Sequence, residues 1–409
     1  MYPAGDDYGF YYAQLIQDYY ADKAGVTLNI IDDSTKEVSK EILIGNTNRY
    51  QTSLTEQEYA VTLKGLKLVF EGGHNATLEK AVKQFVALEY SPIMLNEFSG
   101  TASDFVSTLS IDNMSYSYVW GDEFDGNTLD STKFTNAHTF GLGYENGTYS
   151  EYKAYRNTDY SKVEDGLLKM TAVMDENGNV KNAKAICTSE NMWFLHGYLE
   201  MRAKIPLKHG AWPGWWATDF CEEAPVFDLS DRQYLIEVDF FEAFSADDGL
   251  IESNLHKWYN NYGTQYIEAN GLPNSFLHPI DSRGNEVTHS EKRTDSLYNN
   301  NIITEKDEYH TFGFHWTEDK MVMLVDGEIY AYYDLNDESL IDSYSDNSGF
   351  KNNPMHMVFS NWMMLKGCFG QSSSGNNAVY SDFPIEYYID YIRLYQTSGD
   401  TLYNLGLNN

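Results

Sequence analysis

The run LIEVDFFEAF, residues 235–244, places Glu237, Asp239 and Glu242 in a stretch that is otherwise apolar and aromatic. Val, Ile and Phe favour extended backbone. Carboxylates are rarely set into such a strand unless something pairs with them or uses them. Side chains alternate faces along a flat strand, so Glu237 and Asp239 share a face and Glu242 points the other way. One β-bulge between 239 and 242 adds a residue and returns Glu242 to their side. The two glutamate Cα atoms are then about 13 Å apart. A bent, concave strand lets their long side chains lean together, toward the roughly 5–5.5 Å at which one carboxylate can attack while the other moves a proton. Close like charges do not all ionise, so one acid keeps its proton near neutrality. The pattern therefore offers a nucleophile and a proton donor from one residue type. A bare E-x-D-x-x-E also arises on the solvent face of an acidic protein. Here Val238, Phe240 and Phe241 between the acids argue for a built strand.

The elements that would position these acids are strands. From about residue 113 onward the chain reads as all-β. GYLEMRAKIP alternates, with Leu199, Met201, Ala203 and Ile205 on one face and Tyr198, Glu200, Arg202 and Lys204 on the other. KMVMLVDGEIYAYYDL reads as a hairpin turning at Asp326-Gly327. MHMVFSNWMML and EYYIDYIRLYQ add further strands. Many short strands at close spacing point to a large sandwich or barrel. Residues 1–110 differ, mixing helix and strand into a small α/β accessory domain. YYAQLIQDYYADKAG has helical spacing and stops at Gly25, and TLEKAVKQFVALEY is a second helix with Thr77 as its N-cap. TLNIID, KEILIGN and YAVTLKGLKLVFEGG read as short strands, and NEFSGTASD as a connector. The chain opens on a helix, as though an earlier strand of this domain had been cut away. The resulting division is 1–110, then 113–398, with 399–409 as a tail.

Composition narrows the partners. The 409 residues carry a net charge of -33, which repels nucleic acid and anionic lipid. No run of about 18 apolar residues exists, so no helix inserts into a membrane. MYPAGDDYGF has neither a basic n-region nor an apolar h-region, as in a cytoplasmic protein or a mature fragment without its leader. Cys187, Cys221 and Cys368 form no C-x-x-C pair and read as isolated core thiols. The 33 Tyr and 8 Trp suit sugar faces and ordinary sheet packing equally.

At EVDFFE the sequence resembles the catalytic signature of glycoside hydrolase family 16 in its bulged form, as in laminarinases, agarases and carrageenases. The resemblance continues in order through VWGDEFDGNTLD (119–130), GYLEMRAKIPLKHGAWPGWWATDF (197–220), YHTFGFHWTEDKMVMLVDGEIY (309–330) and IDYIRLYQ (389–396). It implies a β-jelly-roll sandwich with a sugar cleft on its concave face. It assigns Glu237 as nucleophile, Asp239 as the helper that tunes the pair, and Glu242 as general acid/base. It implies substrate contacts from Trp212 and Trp216, with Trp216 the better candidate for lining the cleft. His256 and Trp258 on the next strand, and Asn361 and Trp362 on a later one, are further candidates. No organic cofactor is implied. Family members often hold a structural calcium, and Glu123, Gly166 and Asp390 match its positions, two of them partly through backbone oxygens. The N-terminal region is similar, more weakly, to the small α/β domain ahead of hexosaminidase-like catalytic domains, through EILIGNTNR and LVFEGG.

The departures are local. EEAPVFDLSDRQYL before the nucleophile is longer and more acidic than in plain laminarinases, and EAFSADDGL replaces their E-Y-x-G. The reading that follows is a retaining endo-glycosidase on a neutral β-linked polysaccharide, with β-1,3-glucan as the first substrate. An endo-β-galactosidase on agar-like or mucin-type galactans is the alternative within the family. A non-catalytic carbohydrate-binding jelly roll is the alternative of another class, against which stands the presence of all three acids. The expected partner is a polysaccharide or oligosaccharide, the expected state a monomer. The expected location is secreted or cell-surface, since a polymer cannot enter a cell.

Overall fold

The computed structural model describes residues 1–87, 98–102, 104–135, 142–145, 148–151, 160–176, 180–182, 185–208, 210–219, 234–243, 251–259, 308–336, 348–363 and 382–405. They form two compact units, residues 1–129 with 163–166, and residues 130–162 with 167–408.

In the first unit, helix Asp7–Ala24 starts where the Asp6 carboxylate accepts the Gly9 N–H and ends at Gly25, left-handed at φ 64°. Tyr12, Ile16 and Tyr19 recur at helical spacing and are buried. They meet Leu78, Val82 and Phe85 of helix Asn75–Ala87 and Val61 and Phe70 of the sheet in one core. The sheet has four strands in the order Glu41–Ile44, Lys67–Gly72, Glu58–Lys64, Phe98–Thr101, with the first pair parallel. The last strand comes from the stretch expected as a connector. TLNIID makes only a single bridge, Asp32 to Tyr2, instead of a strand. Thr77 is not the cap of the second helix. His74 is, its Nδ1 accepting the Ala76 N–H at 3.2 Å while the Thr77 hydroxyl accepts the His74 N–H at 3.0 Å. That is the reciprocal arrangement of a capping box with different residues in it. A hairpin, Thr108–Ile111 with Met114–Asp122, completes this unit. Residues 113–129, expected to open the second domain, group with the first.

The second unit is a β-sandwich of the jelly-roll kind. One sheet runs Val180–Asn182, Leu167–Met174, Ile385–Gln396, Gly197–Lys204, His310–Trp316, Lys320–Val325, Glu328–Asp334. The other runs Ala185–Cys187, His356–Met363, Ala211–Thr218, Tyr234–Ala243, Ile251–Tyr259. Strand Gly197–Lys204 alternates buried and half-buried residues as its sequence predicts. Asp326 and Gly327 take φ 50° and 80°, the turn that a two-residue hairpin needs. The sheets interlock through aromatic rings, Phe240 stacked on Phe314 at 4.1 Å and Phe241 against Phe312 at 4.6 Å. The expected tail is in part a strand. Thr401–Asn404 pairs antiparallel with Met192–Leu195.

Candidate active site

Strand Tyr234–Ala243 lies between Ala211–Thr218 and Ile251–Tyr259, with paired neighbours on both sides. Thr218 opposes Glu237 and Trp216 opposes Asp239, but the next pairs are Trp215 with Phe241 and Gly214 with Glu242. On the other side Asp239 opposes Asn254 and Glu242 opposes Glu252. Both ladders shift by one residue after Asp239, so Phe240 is the extra residue of a bulge. The reason is visible in the core. Phe240 and Phe241 are both buried, and both turn their rings onto the facing sheet. Two consecutive residues on one face require the bulge, and the bulge leaves Glu237, Asp239 and Glu242 together on the other.

On that face the acids are held differently. Asp239 is 2% exposed and Glu237 8%. His256, opposite Glu237 in register, brings Nε2 to 2.9 Å from Asp239 Oδ2 and 4.0 Å from Glu237 Oε1. Glu242 is half-buried and accepts the Trp212 indole N–H at Oε1, 3.0 Å. Below the strand, the Tyr330 phenol donates to the Phe240 carbonyl. Burial first, with Tyr333 and Asp239 adding to it, pushes that phenol well above its ordinary range, so it stays a neutral donor. The arrangement separates a deep pair of acids shared with a histidine from a shallower acid oriented by an indole. That is the division a nucleophile and a proton donor need.

Trp212 and Trp216 share the face of the acids but are held differently. Trp216 is 7% exposed and packs with Cys187 and Val358, its indole N–H on Ser360 Oγ at 3.3 Å. Trp212 reaches the acid instead. Asn361 is not in the cleft. It opposes Pro213 on the core face, is fully buried, and donates from Nδ2 to the Met170 carbonyl at 2.9 Å. Strand alternation gives the cleft face to Ser360, which opposes Gly214. Trp258 and Trp362 hold register positions opposite Leu235 and Trp212, and their side chains lie outside the described residues. So do residues 220–233, which hold Cys221 and EEAPVFDLSDRQ, residues 244–250, and Cys368. Asn254, buried beside the acids, was not singled out in the sequence. Its signal is its place two residues before His256, on the same face.

Of the three residues matched to calcium, Glu123 and Gly166 belong to the first unit and Asp390 to the second. The Asp390 carboxylate accepts from Arg202, whose guanidinium also lies 4.6 Å over the Tyr309 ring. Glu123 sits in a cleft with Lys80, Lys83 and Asp125, and raises the affinity of Lys80 for its proton. Gly166 occupies a turn at φ 73°.

Known proteins carry related sequences. The family model described as Glycosyl hydrolases family 16 matches residues 284–380. Glucan endo-1,3-beta-glucosidase A1 of Niallia circulans is 24% identical over 292 residues, covering 68% of this chain and 37% of that protein. Beta-glucanase of Rhodothermus marinus is 24% identical over 286 residues, 68% of this chain and 84% of that one. The chain thus matches well under half the length of the first relative and most of the second. A laminarinase structure from Flavobacterium sp. UMI-01 superposes at TM-score 0.44 with 22% identity, over 68% of this chain and 100% of that one.

Proposed function

We propose that the chain is a member of glycoside hydrolase family 16 and a retaining endo-glycosidase acting on a β-1,3-linked glucan. The observation that carries the proposal is the bulged strand, which puts three acids on one face and gives each a different neighbour. The names of the relatives, an endo-1,3-beta-glucosidase and a beta-glucanase, support the choice of glucan. Glu237 attacks the anomeric carbon as its bond to the leaving oxygen breaks, and Glu242 gives that oxygen its proton. Glu242, now ionised, takes a proton from water as the water displaces Glu237 from the same carbon. Two inversions return the β configuration. Asp239 and His256 hold Glu237 in place and set how charge is shared between the two deep acids. Trp212 fixes the rotamer of Glu242. The enzyme works outside the cell, because its polymeric substrate stays there. Among the described residues no helix is long and apolar enough to cross a membrane.

The test is reducing-sugar release from laminarin, lichenan, agarose and mucin, with proton NMR of the first products. Laminarin cleavage with the β anomer appearing first is expected. Cleavage of a galactan alone would move the protein to the endo-β-galactosidases. Initial release of the α anomer would remove Glu237 from the nucleophile's role.

A further inference from the structure

Ser253 stands alone against Phe240 and Phe241. The pairs on either side are Asp239 with Asn254 and Glu242 with Glu252, so two residues of the acid strand face one of its neighbour. A bulge breaks the ladder locally, and a buried carbonyl there needs a donor from elsewhere. Both carbonyls at the shift receive one from a hydroxyl. Ser253 Oγ donates to the Asp239 carbonyl at 2.9 Å, and the Tyr330 phenol donates to the Phe240 carbonyl. The Tyr333 phenol donates to the Ser253 carbonyl at 3.0 Å and so fixes the residue that carries the first hydroxyl. Ser253 and Tyr333 are fully buried, and Tyr330 nearly so. The two tyrosines reach the bulge by way of a second one. In strand Glu328–Asp334, Ala331 opposes Met323 and Ile329 opposes Leu324, which leaves Tyr330 as the extra residue. Plain alternation would turn residues 330 and 333 to opposite faces, and this bulge turns both inward.

We propose that Ser253, Tyr330 and Tyr333 are positioning residues, a hydroxyl clamp that holds the bulge between Asp239 and Glu242 and thereby sets Glu242 against Glu237. All three act from the core side of the strand and through its backbone, so none touches sugar. A one-residue slip of pairing sends every side chain beyond it to the other face. Were the bulge to move past Glu242, that acid would enter the core, while Glu237, which precedes the bulge, would stay in the cleft. Phe240 and Phe241 are the same residue type, so ring packing alone discriminates poorly between neighbouring positions for the extra residue. A hydrogen bond to one particular carbonyl is directional and does discriminate. Glu242 lies beyond the clamped carbonyls and Glu237 before them. A loosened bulge therefore disturbs the proton donor more than the nucleophile. The catalytic consequence rests on the glycosidase reading. The clamp on the bulge does not.

Tyr330→Phe keeps the ring and removes the O–H, and Ser253→Ala removes the other donor. Native-state hydrogen exchange, read on the peptide spanning residues 240–242, should quicken about tenfold in either variant, the effect of one net hydrogen bond lost. Exchange in strand Gly197–Lys204 should not change. On laminarin kcat should fall by about the same factor with KM unchanged. Glycosylation by an activated aryl glycoside, whose departure needs no proton from Glu242, should slow less. Ser253→Thr keeps the hydroxyl and should match wild type in both readouts. Unchanged exchange over 240–242 overturns the proposal. So does an equal rise in both strands, since the hydroxyls would then serve stability alone. Equal losses on the two substrates overturn it as well. If Ser253→Ala does not fold, or threonine does not fit the site, Tyr330→Phe decides alone. If wild type hydrolyses no glycoside, the glycosidase reading fails while exchange still tests the clamp.

Discussion

Glu237 and Glu242 are the same residue type with different surroundings, and mutation should separate them. Glu242→Ala should lose most activity on polysaccharide, because a sugar leaving group needs its proton, yet still form the glycosyl-enzyme from an activated aryl glycoside. Azide should then release a β-azide product. Glu237→Ala should fail on both substrates, with azide giving an α product at most. The opposite pattern of anomers would mean that the two roles are exchanged. Trp212→Phe keeps the ring and removes the 3.0 Å donor to Glu242. Glu242 gains charge as it gives up its proton, and a hydrogen bond to a charged group is worth about 1.5–3 kcal/mol. A drop of at least about tenfold in kcat/KM on polysaccharide is therefore expected, with a smaller drop on the aryl glycoside. Equal losses on both substrates would show that Trp212 serves binding and not the acid.

At the scale of the element, the bulge is what makes E-x-D-x-x-E usable. Deleting Phe240 restores plain alternation and leaves Glu242 on the cleft face, two steps from Asp239. The variant gives up a buried ring stacked on Phe314 and packed edge-on against Trp215, a loss of about 3–5 kcal/mol by analogy with Phe→Ala in cores. Denaturant melts should register that loss, and glycosylation by the aryl substrate should persist. A folded, inert deletion variant would mean that the bulge also sets the working separation of the two carboxyls.

At the scale of the molecule, the first unit does not end where its sequence changes character. Lys83 of the second helix lies 2.7 Å from both Glu79 Oε1 and Asp122 Oδ2, and Lys80 lies 2.9 Å from Asp125 Oδ2. The acids of VWGDEFDG are thus neutralised from residues 80 and 83. A chain started at residue 113 would keep Asp122 and Asp125 and lose their lysines. Lys83→Met removes one partner of a buried pair, which costs about 3–5 kcal/mol, and chemical denaturation should show it. A change below about 1 kcal/mol would mean that water replaces the ammonium. Asp125 adds a pH signature. Burial, the largest cause, with Glu123 beside it, pushes its carboxyl up to about 6, against the attraction of Lys80. Between about pH 4 and 6 the folded chain holds a proton that the unfolded chain releases, so stability falls as pH rises through that window. Asp125→Asn should flatten this slope. A slope unchanged in the variant would assign it to other groups.

What the sequence determined by itself are the features set by neighbours along the chain. The alternation of GYLEMRAKIP, the Asp326-Gly327 turn, the stop at Gly25 and the bulge within EVDFFE all depend on a period or a backbone preference spanning a few residues. The family resemblance rests on the same local runs. The tertiary structure decided the rest, because it depends on which distant residue stands opposite. Asn361 reads as a cleft residue until its amide is seen to satisfy a carbonyl 191 residues away. Trp212 and Trp216 share a face, and only cross-strand register tells which reaches Glu242 and which lies under Ser360. Thr401–Asn404 reads as a tail because its partner strand begins at residue 192. Asn254 has no motif of its own, and only the ladder sets it opposite Asp239. Periodicity along a strand says which residues share a face. Only the packing of strands against one another says which face is buried, and beside whom.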